Sequence, residues 1–217
     1  MSINYYHQVC GTETTTTRLA RGGCGTLTMA GHWAGYNWIS KVDQSGCAMP
    51  LVQREWEILK ELQNTGLVPV VSPVSPHING SIMHIQCIDN AASLLDYTQA
   101  YLNGLIPIGV LRDILTLVVT AVTTFHSLGW VHNDLHNGNI VVGHNQYTWE
   151  VYIIDVAMAT RAEEEVPEAL AEAFSIPHLP SEDWYFLKWS IMAEAEEYED
   201  ADKGRELQDL VDELIPE

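Results

Sequence analysis

Apolar residues recur at helical spacing over residues 108–128, where Leu111, Ile114, Leu115, Val118, Val122 and Phe125 share one face. The pattern predicts a core helix stopped by Gly129. Another helix is predicted over Leu51–Gln63, ended by Asn64-Thr65-Gly66, and a third starts at Ser93 and runs through Tyr101. Short apolar runs bounded by turn residues predict strands. Residues 18–42 read as strands joined by a glycine-rich turn. Residues 67–88 hold two more, separated by Pro73-Val74-Ser75-Pro76 and Asn79-Gly80. The runs 140–142 and 151–154 flank a turn at Gly143-His144-Asn145, and the chain after Asp155 reads as loop and helix. Strands first and helices second predict an α+β chain of two lobes, residues 1–88 and 89–217, hinged near Cys87–Asn90.

Composition narrows the classes. A hydrophobic share of 47% over 217 residues supports a real core. The net charge of −19 argues against a large nucleic-acid-binding face. The acid is uneven, with 18 of the 29 carboxylates after Arg161. Such a surface is either a set of solvated helix faces or a field that attracts a basic partner. No run of about 18 apolar residues predicts a membrane span. The first residues lack the basic region and apolar core of a secretory signal, so an intracellular protein is expected. Cys10, Cys24, Cys47 and Cys87 are widely spaced and predict buried or free thiols.

The strongest chemical signal is His132-Asn133-Asp134-Leu135-His136-Asn137-Gly138-Asn139, set between the core helix and Ile140-Val141-Val142. Ile154-Asp155 closes the next apolar run. A carboxylate, an amide five residues on, and a carboxylate after the next strand can together hold a hydroxyl and magnesium-bound phosphates. The same loop offers a second set, His132, Asp134 and His136, whose alternation could face a zinc ion from one side of a strand. No Cys/His set at ligand spacing accompanies it.

H-x-D-L-x-x-x-N-I followed by I-D-x-x-x-A resembles the catalytic loop and metal-binding aspartate of the protein-kinase superfamily. The resemblance implies that Asp134 orients the acceptor hydroxyl and takes its proton, that His132 is a strut behind the loop, and that Asn139 and Asp155 hold Mg²⁺ with ATP. Ala20-Arg21-Gly22-Gly23-Cys24-Gly25-Thr26-Leu27 is similar to the phosphate-covering turn, with Gly22, Gly25 and Leu27 at matching positions and Ala20 in place of the first glycine. Lys41, in Trp38-Ile39-Ser40-Lys41-Val42, matches the phosphate-pairing lysine. Glu55 sits on an apolar helix face, where a carboxylate needs a partner; Lys41 is the natural one, and Glu57 is the other candidate carboxylate. Met83 to Asp89 resembles the fifth strand and hinge, which implies Gln86 as gatekeeper and adenine contacts from the backbone of Cys87 to Asp89. Asp183 matches the helix start that braces the catalytic loop.

The chain also departs from that family. Asn133 stands where an arginine usually binds a phosphorylated loop, Asp155-Val156-Ala157 replaces D-F-G, and no A-P-E follows. Asp134-Leu135-His136-Asn137-Gly138-Asn139 is closer to aminoglycoside and choline phosphotransferases. Only 30 residues follow Leu187, so a reduced helical carboxyl-terminal lobe is expected, a compactness that resembles kinases of large DNA viruses. The expected function is an ATP- and Mg²⁺-dependent serine/threonine protein kinase, acting on basic proteins if the acidic carboxyl-terminal stretch borders the cleft. The alternatives are a small-molecule kinase and a kinase-fold binding protein without turnover. Neither nucleic acid nor membrane is an expected partner.

Overall fold

The computed structural model describes residues 18–21, 25–33, 36–43, 51–72, 82–88, 90–144, 148–173 and 178–216. Four strands form an antiparallel sheet in chain order: β1 (Arg18–Arg21), β2 (Gly25–Trp33), β3 (Tyr36–Asp43) and β4 (Ile82–Gln86). Its register sets Lys41 between Leu27 and Met83. Helix α1 (Leu51–Leu62) buries Leu51, Val52, Ile58, Leu59 and Leu62, with Glu55 on the same face. The first of the two strands expected in 67–88 shrinks to a single bridge, Val71 to Ile85. Pro69 and Pro73 bracket it, and neither has an N–H to extend the ladder. The turn expected at Asn79-Gly80 lies outside the described residues.

Helix α2 (Leu94–Leu102) starts with a capping box: the Ser93 side chain accepts from the Asp96 N–H, and the Asp96 carboxylate accepts from the Ser93 N–H. Helix α3 (Ile108–Ser127) is the core helix that the periodicity predicts, with its six periodic residues at most 1% exposed. Each such side chain contributes about 1.5–3 kcal/mol by leaving water. By length and composition α3 could cross a membrane. Here its apolar face fills the core, while Thr116, Thr120 and Thr124 on the outer face donate to carbonyls one turn back.

Five small strands frame the signature loop. β5 (Ala91–Ser93), β7 (Ile140–His144) and β8 (Trp149–Ile153) make a three-stranded sheet, and β6 (Trp130–Val131) pairs with β9 (Thr160–Arg161). Strand β6 leads into residues 132–139 and β7 leads out, while β8 and β9 lie on either side of Asp155. Three of these strands are only two or three residues long, too short for hydrophobic periodicity to announce them. Beyond them come α4 (Glu168–Ala173), α5 (Pro180–Glu196) and α6 (Ala201–Leu214). Helices α5 and α6 meet closely at Gly204, where a Cβ would lie 2.6 Å from the Ala195 carbonyl oxygen. One apolar cluster runs through the chain, from Ile39 in β3 to Ile215 after α6. Cys87 is buried and disulfide-bonded, in contrast to the buried or free thiols that the cysteine spacing predicts.

Candidate active site

Lys41 is 8% exposed, and its Nζ lies 2.6 Å from Glu55 Oε2 and 2.6 Å from Asp155 Oδ1. Strand β3, helix α1 and the turn after β8 thus each bring one charge to one point. Glu55, at 2% exposure, is the partner; Glu57 is exposed and accepts from Gln53. Burial works against the Lys41 ammonium, but the two carboxylates outweigh it and hold its pKa far above the ordinary lysine value. Burial also opposes the Asp155 carboxylate, yet Lys41 leaves it titrating below its usual range. Burial pushes the Glu55 carboxyl up to about 7 against the pull of Lys41, so at neutral pH Lys41 and Asp155 carry full charge and Glu55 is near its midpoint.

A second carboxylate organises the loop. Asp183, in the first turn of α5, is fully buried. Its Oδ2 accepts from the His132 N–H at 2.7 Å and from His126 Nε2 at 2.9 Å, and its Oδ1 accepts from the Asn133 N–H at 2.8 Å. Bonds to a charged acceptor are the strong kind, and they hold Asn133 at φ +66°, a left-handed conformation that asparagine tolerates better than most residues. Asp155, at φ +57°, makes the second such turn.

His132 is spent on the scaffold. Its Nε2 donates to the Ile154 carbonyl at 2.9 Å, and its Nδ1 accepts from the Asp134 N–H at 3.3 Å. Both ring nitrogens are used, so the zinc set His132, Asp134 and His136 does not form. Among the described residues no group of three or more His, Cys, Asp or Glu side chains could hold a metal. The His132 bond ties the residue before Asp155 to the loop bearing Asp134.

Asn139 is buried and donates through Nδ2 to the Asp134 carbonyl at 2.9 Å. Its Oδ1 is left as an acceptor, and Asp155 has a second carboxylate oxygen beyond the one on Lys41. Two protein oxygen donors, completed by phosphate and water, suit the small hard cation Mg²⁺ better than a thiol-seeking metal. Asp134 itself is exposed. Partial burial raises its carboxyl above the ordinary value; His136 and His132 oppose the rise, and Asp155 adds to it.

Asn133 does more than remove an arginine. Its Nδ2 donates to the Met158 carbonyl and to Thr160 Oγ1, each at 2.9 Å, and its Oδ1 accepts from the His178 N–H at 2.9 Å. The buried amide therefore pins the segment after Asp155 from both ends without a phosphate. Arg54 clamps that segment from α1, reaching the Ala157 carbonyl through Nε at 3.0 Å and the Ala159 carbonyl through Nη2 at 2.5 Å. Sequence inspection passes over Arg54; the available hint was a cation one residue before Glu55 in a chain with ten basic residues.

The nucleotide side is described only in part. Gly22 and Asp89 lie outside the described residues. Gly25 opens β2 and Leu27 faces Lys41 across the ladder, with only their backbone described. The Cys87 N–H donates to the Asn37 carbonyl at 2.7 Å. The Cys87 N–H, part of the backbone expected to meet adenine, is thus spent on β3.

Beside Asp134 opens a groove of about 390 Å³, walled by His136, Phe186, Trp189, Ser190 and Glu194. The His136 Nδ1 accepts from the Gly138 N–H at 3.1 Å, a fold-back that needs glycine, since a Cβ there would lie 2.9 Å from the ring. Asn137 holds the loop against α5, donating from its backbone to Ser190 Oγ and from Nδ2 to the Ser190 carbonyl. Nothing in the local sequence around Phe186 and Trp189 flags them, because α5 packs against the loop only in three dimensions.

A sheet whose lysine meets a helical glutamate, followed by this loop and aspartate, defines a kinase-like fold of mixed helix and sheet. A solved structure described as WaaP in complex with acyl carrier protein shares it, with a TM-score of 0.55 at 13% identity, covering 95% of this chain and 81% of that one. The chain belongs to the lipopolysaccharide kinase (Kdo/WaaP) family, whose model matches residues 40–169. That family is one of kinases, so the class is an ATP-dependent phosphotransferase. No curated protein sequence matches the chain. The narrower expectations of serine/threonine-protein specificity and of a viral origin draw no support from these matches.

Proposed function

We propose that the protein transfers the γ-phosphoryl group of ATP to a hydroxyl of a saccharide or another small molecule, with the nucleotide held between residues 1–88 and 89–217. The observation that carries this is Lys41 bridging Glu55 and Asp155 at 2.6 Å each, one loop away from an exposed Asp134 at the mouth of a groove. Membership of a lipopolysaccharide kinase family favours the small-molecule acceptor over a serine or threonine side chain. Lys41 steadies the α- and β-phosphates. Asn139 and Asp155 would hold Mg²⁺, which supplies neutralisation of the phosphate charge when bound. Asp134 orients the acceptor hydroxyl and receives its proton as the oxygen attacks the γ-phosphorus. The bond from that phosphorus to the bridging oxygen breaks, and its electron pair leaves with ADP. The scaffold on Asp183 fixes the loop geometry on which such positioning depends. A dependence on ATP would favour an activity inside the cell.

The test is radiolabelled transfer from ATP to a neutral methyl glycoside and, in parallel, to a mixed protein substrate, with thermal stability measured with ATP and with or without Mg²⁺. The expected result is Mg²⁺-dependent stabilisation by ATP and label on the sugar. Label on protein serine or threonine and none on sugar would return the function to a protein kinase. Binding of ATP without transfer to any acceptor would instead fit a regulatory binding protein.

A further inference from the structure

We propose that Arg54 is a positioning residue for Asp155: from helix α1 it holds the left-handed turn that presents the Asp155 carboxylate, and so keeps the metal-binding group in place before any ligand arrives. The proposal rests on the phosphotransferase function above and adds a residue that acts through another.

The turn needs holding. Asp155 has φ +57°, a conformation that a residue with a side chain enters at a cost and keeps only where its surroundings over-determine it. The next two residues, Val156 and Ala157, are not glycine and are 0% and 1% exposed, so neither takes up a change of backbone freely. Before Asp155, the Ile154 carbonyl accepts from His132 Nε2 at 2.9 Å. After it comes a short 3₁₀ turn, Val156–Met158, closed by the Ala159 N–H donating to the Val156 carbonyl at 3.0 Å. Arg54 engages that turn at both the Ala157 and the Ala159 carbonyl. The strained residue is therefore fixed on one side by the catalytic loop and on the other by α1.

The side chain suits the task. A guanidinium is a planar fork that meets two acceptors at a set separation, which a point ammonium cannot do. Burial works against the Arg54 charge and holds its pKa below the ordinary arginine value, with Glu57 and Glu164 opposing the drop. Arg54 precedes Glu55 by one residue, and Ala157 follows Asp155 by two. The clamp thus links the chain segments that carry the two carboxyl groups meeting Lys41 Nζ at 2.6 Å each. An apolar contact backs it: Leu51 of α1 packs with Ala157 and with Leu170 of α4. Helix α1 and the turn are joined into one piece, and a shift of either displaces Asp155 from its lysine.

The test is calorimetric binding of a non-hydrolysable ATP analogue, with Mg²⁺ titrated and with Mg²⁺ removed by chelation. Arg54→Ala should raise the Mg²⁺ concentration for half-maximal binding about ten-fold, the scale on which a residue couples two sites through packed neighbours. Affinity for the analogue without Mg²⁺ should stay near that of the wild type. Arg54→Lys keeps the stem and the charge but not the fork, so it should fold like the wild type and show a smaller shift in the same direction. Hydrogen exchange without ligand gives a second reading, in which the Ala159 N–H should exchange faster in both variants. A double-mutant cycle separates positioning from general stability: in an Asp155→Asn background, Arg54→Ala should cost no further binding. An unchanged Mg²⁺ midpoint beside a lowered melting temperature, equal losses with and without Mg²⁺, or additive losses in the cycle would each overturn the inference and leave the phosphotransferase standing. If the wild type itself binds no ATP analogue with Mg²⁺, the phosphotransferase function falls, and the role of Arg54 with it.

Discussion

Two aspartates, Asp155 and Asp183, illustrate two ways in which this fold handles a carboxylate. Asp183 is fully buried and satisfied by two backbone N–H groups and one histidine. Nothing there is left to bind, and the carboxylate is a fixed part of the scaffold. Asp155 has a side chain 38% exposed, leans on a lysine that it shares with Glu55, and sits in a left-handed turn. Its partner is a cation on a long, flexible stem, which a phosphate or a metal could replace without rebuilding the backbone. A group locked by peptide N–H donors holds geometry, and a group held by a side-chain cation can exchange it for a ligand.

Substitutions separate the two roles. The largest effect is expected at Asp134, whose backbone is set by the Asp183 side of the site and whose carboxylate faces the Asp155 side. Asp134→Asn should lower kcat by about 10²- to 10⁴-fold while ATP affinity stays near that of the wild type. Wild-type turnover in that variant would remove Asp134 from the chemistry.

Next in size is Lys41→Met, which strands a buried carboxylate. Breaking a buried pair in this way typically costs about 3–5 kcal/mol, read here as a shift in the urea midpoint. Glu55→Gln should cost less, since Asp155 still neutralises the lysine. Equal stability of Lys41→Met and the wild type would mean that the pair contributes nothing to the fold.

The comparison itself is tested by matched changes. Asp183→Asn keeps the shape but weakens charge-assisted bonds worth about 1.5–3 kcal/mol each, so it should lower the melting temperature and make the loop amides of His132 and Asn133 exchange faster. Asp155→Asn should leave stability almost unchanged and abolish the Mg²⁺-dependent part of ATP binding. If calorimetry finds the reverse, with Asp155→Asn the less stable protein and Asp183→Asn the one unable to use Mg²⁺, the division between scaffold and ligand site is wrong.

The smallest effect is expected at Gly138. A Cβ there would lie 2.9 Å from the His136 ring, a flexible side chain that can swing aside. Gly138→Ala should therefore cost no more than about 1 kcal/mol of stability but displace His136 from the groove and raise KM for the acceptor several-fold, with KM for ATP unmoved. An unchanged acceptor KM would detach His136 from acceptor binding.

What could be read from the chain follows from how each signal is stored. The helix over 108–128 was legible because an amphipathic pattern repeats at each turn. The loop from His132 to Asn139 and the following Asp155 were legible because phosphoryl transfer needs those groups at short, fixed spacings along one continuous piece of backbone. Lys41 and Glu55 could be paired in advance because a charge on an apolar strand and another on an apolar helix face each demand a partner. The three shortest strands carry too few residues for a period. The positioning roles of Asn133 and Arg54 depend on the carbonyls of Ala157, Met158 and Ala159 and on the Thr160 hydroxyl, which no local pattern encodes. The acceptor groove arises where α5 packs against the loop, joining Asp134 to Trp189 and Glu194 across more than fifty residues. By itself the sequence determined the kind of chemistry, because its catalytic groups lie close together on the chain. Only the tertiary structure decided what surrounds the acceptor, because that surface is assembled by packing between distant segments.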